Sequence, residues 1–251
     1  VTTTSQVEGH AGRLSLVATP IGNLGDLSPR ARETLEQADI VACEDTRHTG
    51  LLFSRLGFKK KLLSVHDRNE ASRVAEILEG LRAGQHIALV SDAGHPGLSD
   101  PGQRLVHAVA EAGLAMETVP GPCAIPAALS ASGFPFERFF FGGFLTTKKG
   151  RRTRELQEAC DREDTTVFFE SPHRIAGTLE ILAGLAPDRP TCVARELTKK
   201  FETFHRGTAT ELANEFSEGK TKGEIVLLIA GSKPPKWFHR KAEVDRTEQG
   251  R

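Results

Sequence analysis

Ile87-Ala88-Leu89-Val90-Ser91-Asp92-Ala93-Gly94-His95-Pro96-Gly97-Leu98-Ser99-Asp100-Pro101-Gly102 is the stretch that decides the fold of this chain. An apolar run opens it, a turn rich in glycine and proline follows, and Leu105, Val106, Val109 and Ala110 then recur at helical spacing. A strand that passes through a tight turn into a helix is the building unit of a parallel sheet. The turn carries no bulky side chains, so a ligand can come close to its backbone. Open parallel sheets bind ligands in the loops at the carboxyl ends of their strands. Asp100-Pro101-Gly102-Gln103 reads as cap, first-turn proline and capping-box partner of the helix that follows.

The same unit repeats to either side. Leu14–Ala18 and Ile40–Cys43 are short apolar strands, and Ser28-Pro29 caps a helix that buries Ala31, Leu35 and Ala38. Asn69 opens a helix carrying Val74, Ile77, Leu78 and Leu81, which Gly84 ends. Met116–Val119 leads through Pro120-Gly121-Pro122-Cys123-Ala124 into a further helix. Residues 13–133 are therefore predicted to form an α/β domain whose mostly parallel sheet is covered on both faces.

Beyond Gly133 the texture changes. Phe134–Phe144 is crowded with phenylalanines that read mostly as core. Strands are predicted at Thr165–Phe169, Thr191–Arg195, Phe201–Arg206 and Glu224–Ala230, with a helix carrying Ile175, Leu179 and Leu182 between the first two. Residues 134–231 thus read as a second α/β domain with a mixed, more antiparallel sheet. Residues 1–12 read as a flexible arm and 232–251 as a polar tail, in which Trp237-Phe238 alone is equipped to dock.

At 251 residues the chain has room for two such domains, and its 33 basic and 33 acidic side chains cancel. With no global field, any footprint for a polyanion must be local. The four cysteines are far apart and form no paired or Cys/His motif. That pattern excludes a structural metal and fits the reduced, mostly buried thiols of a cytoplasmic protein. No apolar stretch is long enough to span a membrane, and Val1–Gly12 lacks the core of a signal peptide.

Several turns carry chemistry. Thr19-Pro20-Ile21-Gly22-Asn23-Leu24-Gly25-Asp26 is neither a dinucleotide fingerprint nor a phosphate loop, which argues against both chemistries. Glu44-Asp45-Thr46-Arg47 ends a strand with two acids beside a guanidinium; it suits proton transfer, and equally a capping Asp45 with a solvated Glu44. In Glu170-Ser171-Pro172-His173-Arg174, Ser171 caps a helix, Pro172 starts it, and two cations fall in the first turn, where the helix dipole disfavours them. Their counter-ion is either Glu170 or a nucleic-acid phosphate. Lys148, Lys149, Arg151, Arg152 and Arg154 crowd into a segment without an acid, next to the phenylalanines. Charge beside aromatic surface favours RNA over a merely solvated helix face.

Taken in order, Thr19–Leu24, Glu44–Arg47, Ser91–Gly94 with Asp100–Gly102, Pro120–Pro122, Glu170–Arg174, Arg195-Glu196-Leu197-Thr198-Lys199 and Gly223-Glu224 resemble the bacterial 16S rRNA cytidine 2′-O-ribose methyltransferases, a family of the tetrapyrrole-methylase superfamily. The resemblance covers about Leu14 to Gly231. It implies a homodimer of two-domain chains with S-adenosylmethionine in a cleft between the domains, and a cytidine of the small-subunit decoding centre as substrate. It places cofactor contacts at Pro20 and Ile21, at Asp92, Ala93, Gly94 and His95, and at Cys123 and Ala124. Looser correspondence adds Phe169, Glu170 and Leu197. His95 stands where the family pattern leads one to expect threonine, and Cys123 where serine or threonine is frequent; both side chains can still hydrogen-bond, cysteine only weakly. On this reading Asp45 or Glu44, oriented by Arg47, faces the ribose, while Lys148, Lys149, Arg151, Arg152, Arg154 and Arg174 grip phosphates. The competing readings are a tetrapyrrole C-methyltransferase and a ribosome-assembly factor that binds RNA without catalysis.

Overall fold

The computed structural model describes residues 12–66, 68–217, 219–235 and 238. The arm before Gly12 and Trp237 lie outside them. The chain divides into two compact units, with the division at Cys123/Ala124.

In the first unit the elements are β1 (Arg13–Val17), α1 (Pro29–Gln37), β2 (Ile40–Cys43), α2 (Thr46–Leu56), β3 (Lys61–Ser64), α3 (Glu70–Arg82), β4 (His86–Leu89), α4 (Gln103–Glu111) and β5 (Ala115–Val119). All five strands are parallel, in the order β3-β2-β4-β1-β5. Alternate residues of each strand face opposite sides. Leu14, Ala42, Ile87 and Leu89 meet Ile77 and Leu81 of α3 and Leu105 and Val109 of α4. Val17, Val41, Cys43 and Ala88 meet Ala31 and Leu35 of α1 and Phe53 of α2. This is the predicted doubly covered sheet. Burial raises the thiol of Cys43, as it does those of Cys160 and of Cys192, which reaches about 11.

Ser28 caps α1 as expected, its Oγ accepting from Ala31 N at 3.1 Å. The start of α4 is a correction. Asp100 does not cap it, and Gln103 reaches back to Gly97 O instead of closing a capping box. Glu70, the first residue of α3, supplies the acceptor. Its Oε1 takes the N–H groups of Gly102, Arg104 and Leu105 at 3.1, 3.1 and 3.2 Å. A helix start leaves orphan donors that any buried acceptor can satisfy, and α3 packs along α4 closely enough to provide one. Asn69 likewise leaves its own helix uncapped; its side chain takes the His66 N–H and donates to Ser64 O.

The second unit contains α5 (Ala124–Ser132), β6 (Phe139–Phe144), α6 (Lys149–Asp161), β7 (Thr165–Glu170), α7 (Ile175–Leu185), β8 (Pro190–Arg195), β9 (Thr203–Thr208), α8 (Ala209–Ser217) and β10 (Ile225–Ile229). Its sheet runs β6-β7-β10-β8-β9. Only β6 and β7 are parallel, so the sheet is mixed. Leu156 of α6, Leu179 and Leu182 of α7 and Leu212 of α8 cover one face through Phe168, Val193, Leu227 and Ile229. On the other, α5 packs on β10 and β8, which is why it belongs to this unit although it precedes Gly133.

Two further expectations change here. Most phenylalanines of 134–144 are not core: Phe134 is buried, while Phe136 before β6 and Phe139, Phe140 and Phe144 along this edge strand are exposed. The last predicted-strand segment before α8 starts at Thr203, and Phe201 projects from the preceding turn. In the tail, Phe238 docks edge-on against Phe134.

Candidate active site and RNA-facing surface

In the first unit β1 leads over β4 to β2, and β4 leads over β1 to β5. The chain thus departs in opposite directions from two neighbouring strands, and the crevice beyond their carboxyl ends is where doubly wound sheets hold ligands. The two loops are joined there. Thr19 N donates to Gly94 O at 2.9 Å, Gly94 N donates to Thr19 O at 3.0 Å, and Thr19 Oγ1 donates to Ser91 O at 3.1 Å. Gly94 needs its missing side chain: its φ is +80°, and a Cβ would meet Ile21 Cγ2 at 3.3 Å. Pro20, Ile21, Asp92, Ala93, Gly94 and His95 are therefore brought to one edge of the sheet. A Cβ on Gly121 would touch that of Ala18 at 3.0 Å, so the Pro120–Cys123 turn lies against the same edge. His95 Nε2 stands 3.4 Å from Thr118 Oγ1 of β5. Cys123 closes the turn and Ala124 opens α5.

The acidic loop after β2 joins this edge through Asp45 N, which donates to Asp92 Oδ1 at 3.3 Å. Asp45 is the N-cap of α2 and also forks Arg47: its Oδ1 accepts from Arg47 N at 2.8 Å and Nε at 3.1 Å, and its Oδ2 pairs with Nη2 at 2.7 Å. These hydrogen bonds, side chain first, hold the Asp45 carboxyl far below the usual carboxylate range. A carboxylate stabilised in this way is a poor proton acceptor. The Arg47 side chain remains 90% exposed despite the pairing. Glu44 sits half-buried between Cys43 and Asp45.

In the second unit, Glu170 and Arg195 both pair with Ile225, so the chain that leaves β7 and the chain that leaves β8 emerge at one edge of the sheet. Glu170 is spent inside this unit. Its buried carboxylate accepts from Ser171 N at 2.7 Å and Thr178 Oγ1 at 2.7 Å, and pairs with Arg174 at 2.6 Å. Arg174 also donates to Leu145 O. Of the two counter-ions open to Arg174, the structure therefore has it on Glu170. The helix itself starts at Ile175, after a turn that Ser171 O closes by accepting from the N–H groups of Arg174 and Ile175.

After β8 the backbone is strained: Glu196 and Thr198, flanking buried Leu197, have φ of 53° and 64°. Positive φ is costly for residues with a Cβ, most of all a branched one, and such strain clusters at ligand sites. Lys199 pairs with Glu196 at 3.0 Å and Glu224 at 3.1 Å, and Glu196 Oε1 accepts from Glu224 N at 3.0 Å, so the loop is clamped. The Glu224 N–H, then the Lys199 ammonium, lower the Glu196 carboxyl. Thr198 Oγ1 is buried without a partner among the described residues. A buried hydroxyl without a partner is the kind of group a bound polar molecule satisfies. Nothing in the composition of Arg195–Lys199 announces this; only its backbone conformation does.

The basic segment forms the start of α6. Lys148 is the N-cap, and the first turn carries no acid. Lys148, Lys149, Arg151 and Arg154 are exposed and make no ion pair among the described residues; Arg152 is half-buried with its Nε unpartnered. Cations piled on the positive end of a helix dipole destabilise it by roughly 0.3–1 kcal/mol each unless an anion is present. Phe144 precedes them with 60% of its surface exposed.

Among the described residues no group of three or more His, Cys, Asp or Glu side chains is placed to hold a metal, and no helix is long and apolar enough to cross a membrane. Residues 13–213 match the model of the tetrapyrrole (corrin/porphyrin) methylases. The chain is 50% identical to the ribosomal RNA small subunit methyltransferase I of Synechocystis sp. over 89% of its own length and 80% of that protein. It belongs to that family, within the tetrapyrrole methylases. The protein of the same name from Escherichia coli O157:H7 is 47% identical over 90% of the chain and 80% of its own. Among solved structures, the uroporphyrin-III-C-methyltransferase of Thermus thermophilus covers 90% of the chain and is itself covered completely, with a TM-score of 0.62 at 24% identity, a likeness of fold alone.

Proposed function

We propose that the chain transfers a methyl group from S-adenosylmethionine to the 2′-hydroxyl of a cytidine in the decoding centre of 16S rRNA. The observation that carries this reading is half-identity, over most of both chains, to a protein named for small-subunit rRNA methylation. The bridged loops at the sheet edge and the unpaired cations on α6 supply the two kinds of surface such an enzyme needs. The same reading takes the chain as a cytoplasmic homodimer acting on the small ribosomal subunit.

The residues of the first unit fit the cofactor, because the Thr19–Gly94 bridge leaves a side-chain-poor backbone edge. Pro20, Ile21 and Asp92–His95 would hold it in the first unit, with Cys123 and Ala124 beside them. Within the second unit, Glu170 positions the Phe169 strand end through its own hydrogen bonds. When bound, S-adenosylmethionine supplies an activated sulfonium methyl. The protein's main task is then alignment of the ribose oxygen, a proximity effect worth up to roughly 7–11 kcal/mol. Proton acceptance from the hydroxyl is assigned to Glu44, the acid at the carboxyl end of β2, and stabilisation of the developing oxyanion to Arg47, whose side chain is 90% exposed. Lys148, Lys149, Arg151, Arg152 and Arg154 hold phosphates; Arg174 acts through Glu170.

The test offers labelled S-adenosylmethionine with three acceptors: small subunits lacking the modification, protein-free 16S rRNA, and a porphyrinoid. Label in RNA ribose supports the reading. Label on the porphyrinoid supports C-methylation, and tight RNA binding without label supports an assembly factor. Glu44→Gln is expected to lower turnover at least about tenfold at unchanged cofactor affinity, the low end of general-base catalysis; unchanged turnover removes Glu44 from that role.

A further inference from the structure

β6 is an edge strand, paired only with β7, and its register slips. Phe141 lies opposite Val167, yet Phe144 lies opposite Phe169, so β6 carries one residue more than its partner. Two glycines allow this bulge. A Cβ on Gly142 would run into the ring of Phe168, and Gly143 has a φ of +70°. In a regular strand Phe141 and Phe144, three residues apart, would point to opposite faces; the bulge resets that alternation. With the bulge, they flank one ring: Phe141 and Phe144 lie 5.0 and 5.2 Å from Phe169, centroid to centroid. Bulges re-aim side chains in this way beside functional sites.

Phe144 is thereby backed by an aromatic neighbour on one side and left open to solvent on the other. The link from it to α6 is fixed. Leu145 is buried, its N–H donates to Phe169 O at 3.2 Å, and Thr146 N donates to Glu155 Oε2 at 3.0 Å. Four residues reach at most about 14 Å, so the open ring stands within a few nucleotides' length of the cations at the helix start. Phe140, by contrast, is already covered by the guanidinium of Arg162 at 3.6 Å.

We propose that Phe144, supported by Phe169 and Phe141, is the stacking platform for one unpaired base of the RNA strand whose phosphates lie on the start of α6. An exposed aromatic ring beside unpaired cations is the pairing that single-stranded RNA uses, base on ring and phosphate on cation. A protein partner of apolar character would leave those cations without counter-charge. The proposal rests on the RNA-methylation reading, and the experiment separates the two.

Wild type, Phe144→Leu and Phe144→Trp are compared for binding to an RNA oligonucleotide of the substrate region, intact and with a single abasic site moved along it. Leucine keeps an apolar side chain on the bulge and removes the ring. It is expected to weaken intact RNA about five- to hundredfold, the range spanned by base–aromatic stacking, and tryptophan to restore binding. At one position an abasic site is expected to cost wild type the same factor and Phe144→Leu nothing more, while the affinity for S-adenosylmethionine stays equal in all three proteins. Equal RNA affinity of wild type and Phe144→Leu overturns the proposal, as do abasic losses that multiply fully with the substitution. A parallel fall in cofactor affinity also overturns it, because the platform would then serve the cofactor. If wild type methylates subunits while Phe144→Leu binds RNA normally, this inference fails and the methylation reading stands. If wild type neither binds nor methylates the RNA, both fail.

Discussion

Replacing Glu70 with alanine removes the acceptor of three N–H groups at the start of α4, and the cost can be worked from their surroundings. Glu70 is 5% exposed, and the Gly102 and Leu105 hydrogen bonds are buried, whereas that of Arg104 is partly reached by solvent. Water can replace the third bond. The other two donors are left dry, at roughly 1–3 kcal/mol each, in addition to the lost charge-assisted bonds. Allowing for local relaxation, Glu70→Ala is expected to lower the stability of the first unit by about 3 kcal/mol. Glu70→Gln keeps one oxygen acceptor without the charge and is expected to cost roughly 1 kcal/mol. Urea unfolding measures both, and hydrogen exchange at Gly102 and Leu105 locates the change. Because α4 directly follows the turn that carries Asp92–His95, Glu70→Ala is also expected to weaken S-adenosylmethionine binding. A loss of about 0.5 kcal/mol or less, the size of an ordinary surface substitution, would refute the capping account. So would equal effects of Ala and Gln.

Other consequences follow from single interactions. Gly94→Ala places a Cβ 3.3 Å from Ile21 Cγ2 at a φ of +80°; it is expected to cost roughly 1–2 kcal/mol and to weaken cofactor binding in calorimetry, whereas Gly150→Ala, which meets nothing within 4 Å, leaves binding unchanged. Ser15 donates its proton to Glu117 at 2.6 Å, so its 2.7 Å approach to His86 Nε2 has the imidazole donating, and Nδ1 accepts from Arg13 at 3.2 Å. Burial, then Arg13, lowers the His86 pKa. The unfolded chain takes up a proton below its ordinary value of about 6.5 that the native state refuses, so stability falls as pH drops from there towards the native pKa. His86→Gln is expected to flatten that slope in urea midpoints taken between pH 7 and 5, and a slope equal to wild type contradicts the arrangement. Arg151→Ala with Arg152→Ala is expected to lower RNA affinity and to flatten the dependence of log affinity on log salt by about 0.7 for each phosphate no longer neutralised; an unaltered slope means α6 does not grip phosphates.

The parallel sheet was legible because its interior strands β2 and β4, Ile40–Cys43 and His86–Leu89, are apolar but for His86 and are buried along their whole length. Its edge was not. β3, Lys61-Leu62-Leu63-Ser64, buries one residue and leaves no pattern to read. The turn between β4 and α4 was legible from its glycine and proline content, but the cap of α4 comes from a carboxylate on another helix, which no local motif can disclose. Asp45 was open to two readings in sequence; its capping of α2 favours the structural one. Phenylalanines rank as core residues, and only their place on a bulged edge strand leaves Phe139 and Phe144 in solvent. Arg174 had two possible partners in sequence, and the carboxylate of Glu170 lies against it in the fold. The strain at Glu196 and Thr198 is invisible in sequence because neither residue type announces a positive φ.

The central claim is that this chain modifies a ribose of small-subunit RNA. The most direct measurement incubates it with S-adenosylmethionine and small subunits lacking the modification, digests the RNA to nucleosides, and resolves the methylated product by mass spectrometry. The account predicts 2′-O-methylcytidine, formed at a single site and absent without the cofactor. Methyl groups on a base, or RNA recovered unmethylated while a porphyrinoid acceptor is methylated, would contradict it.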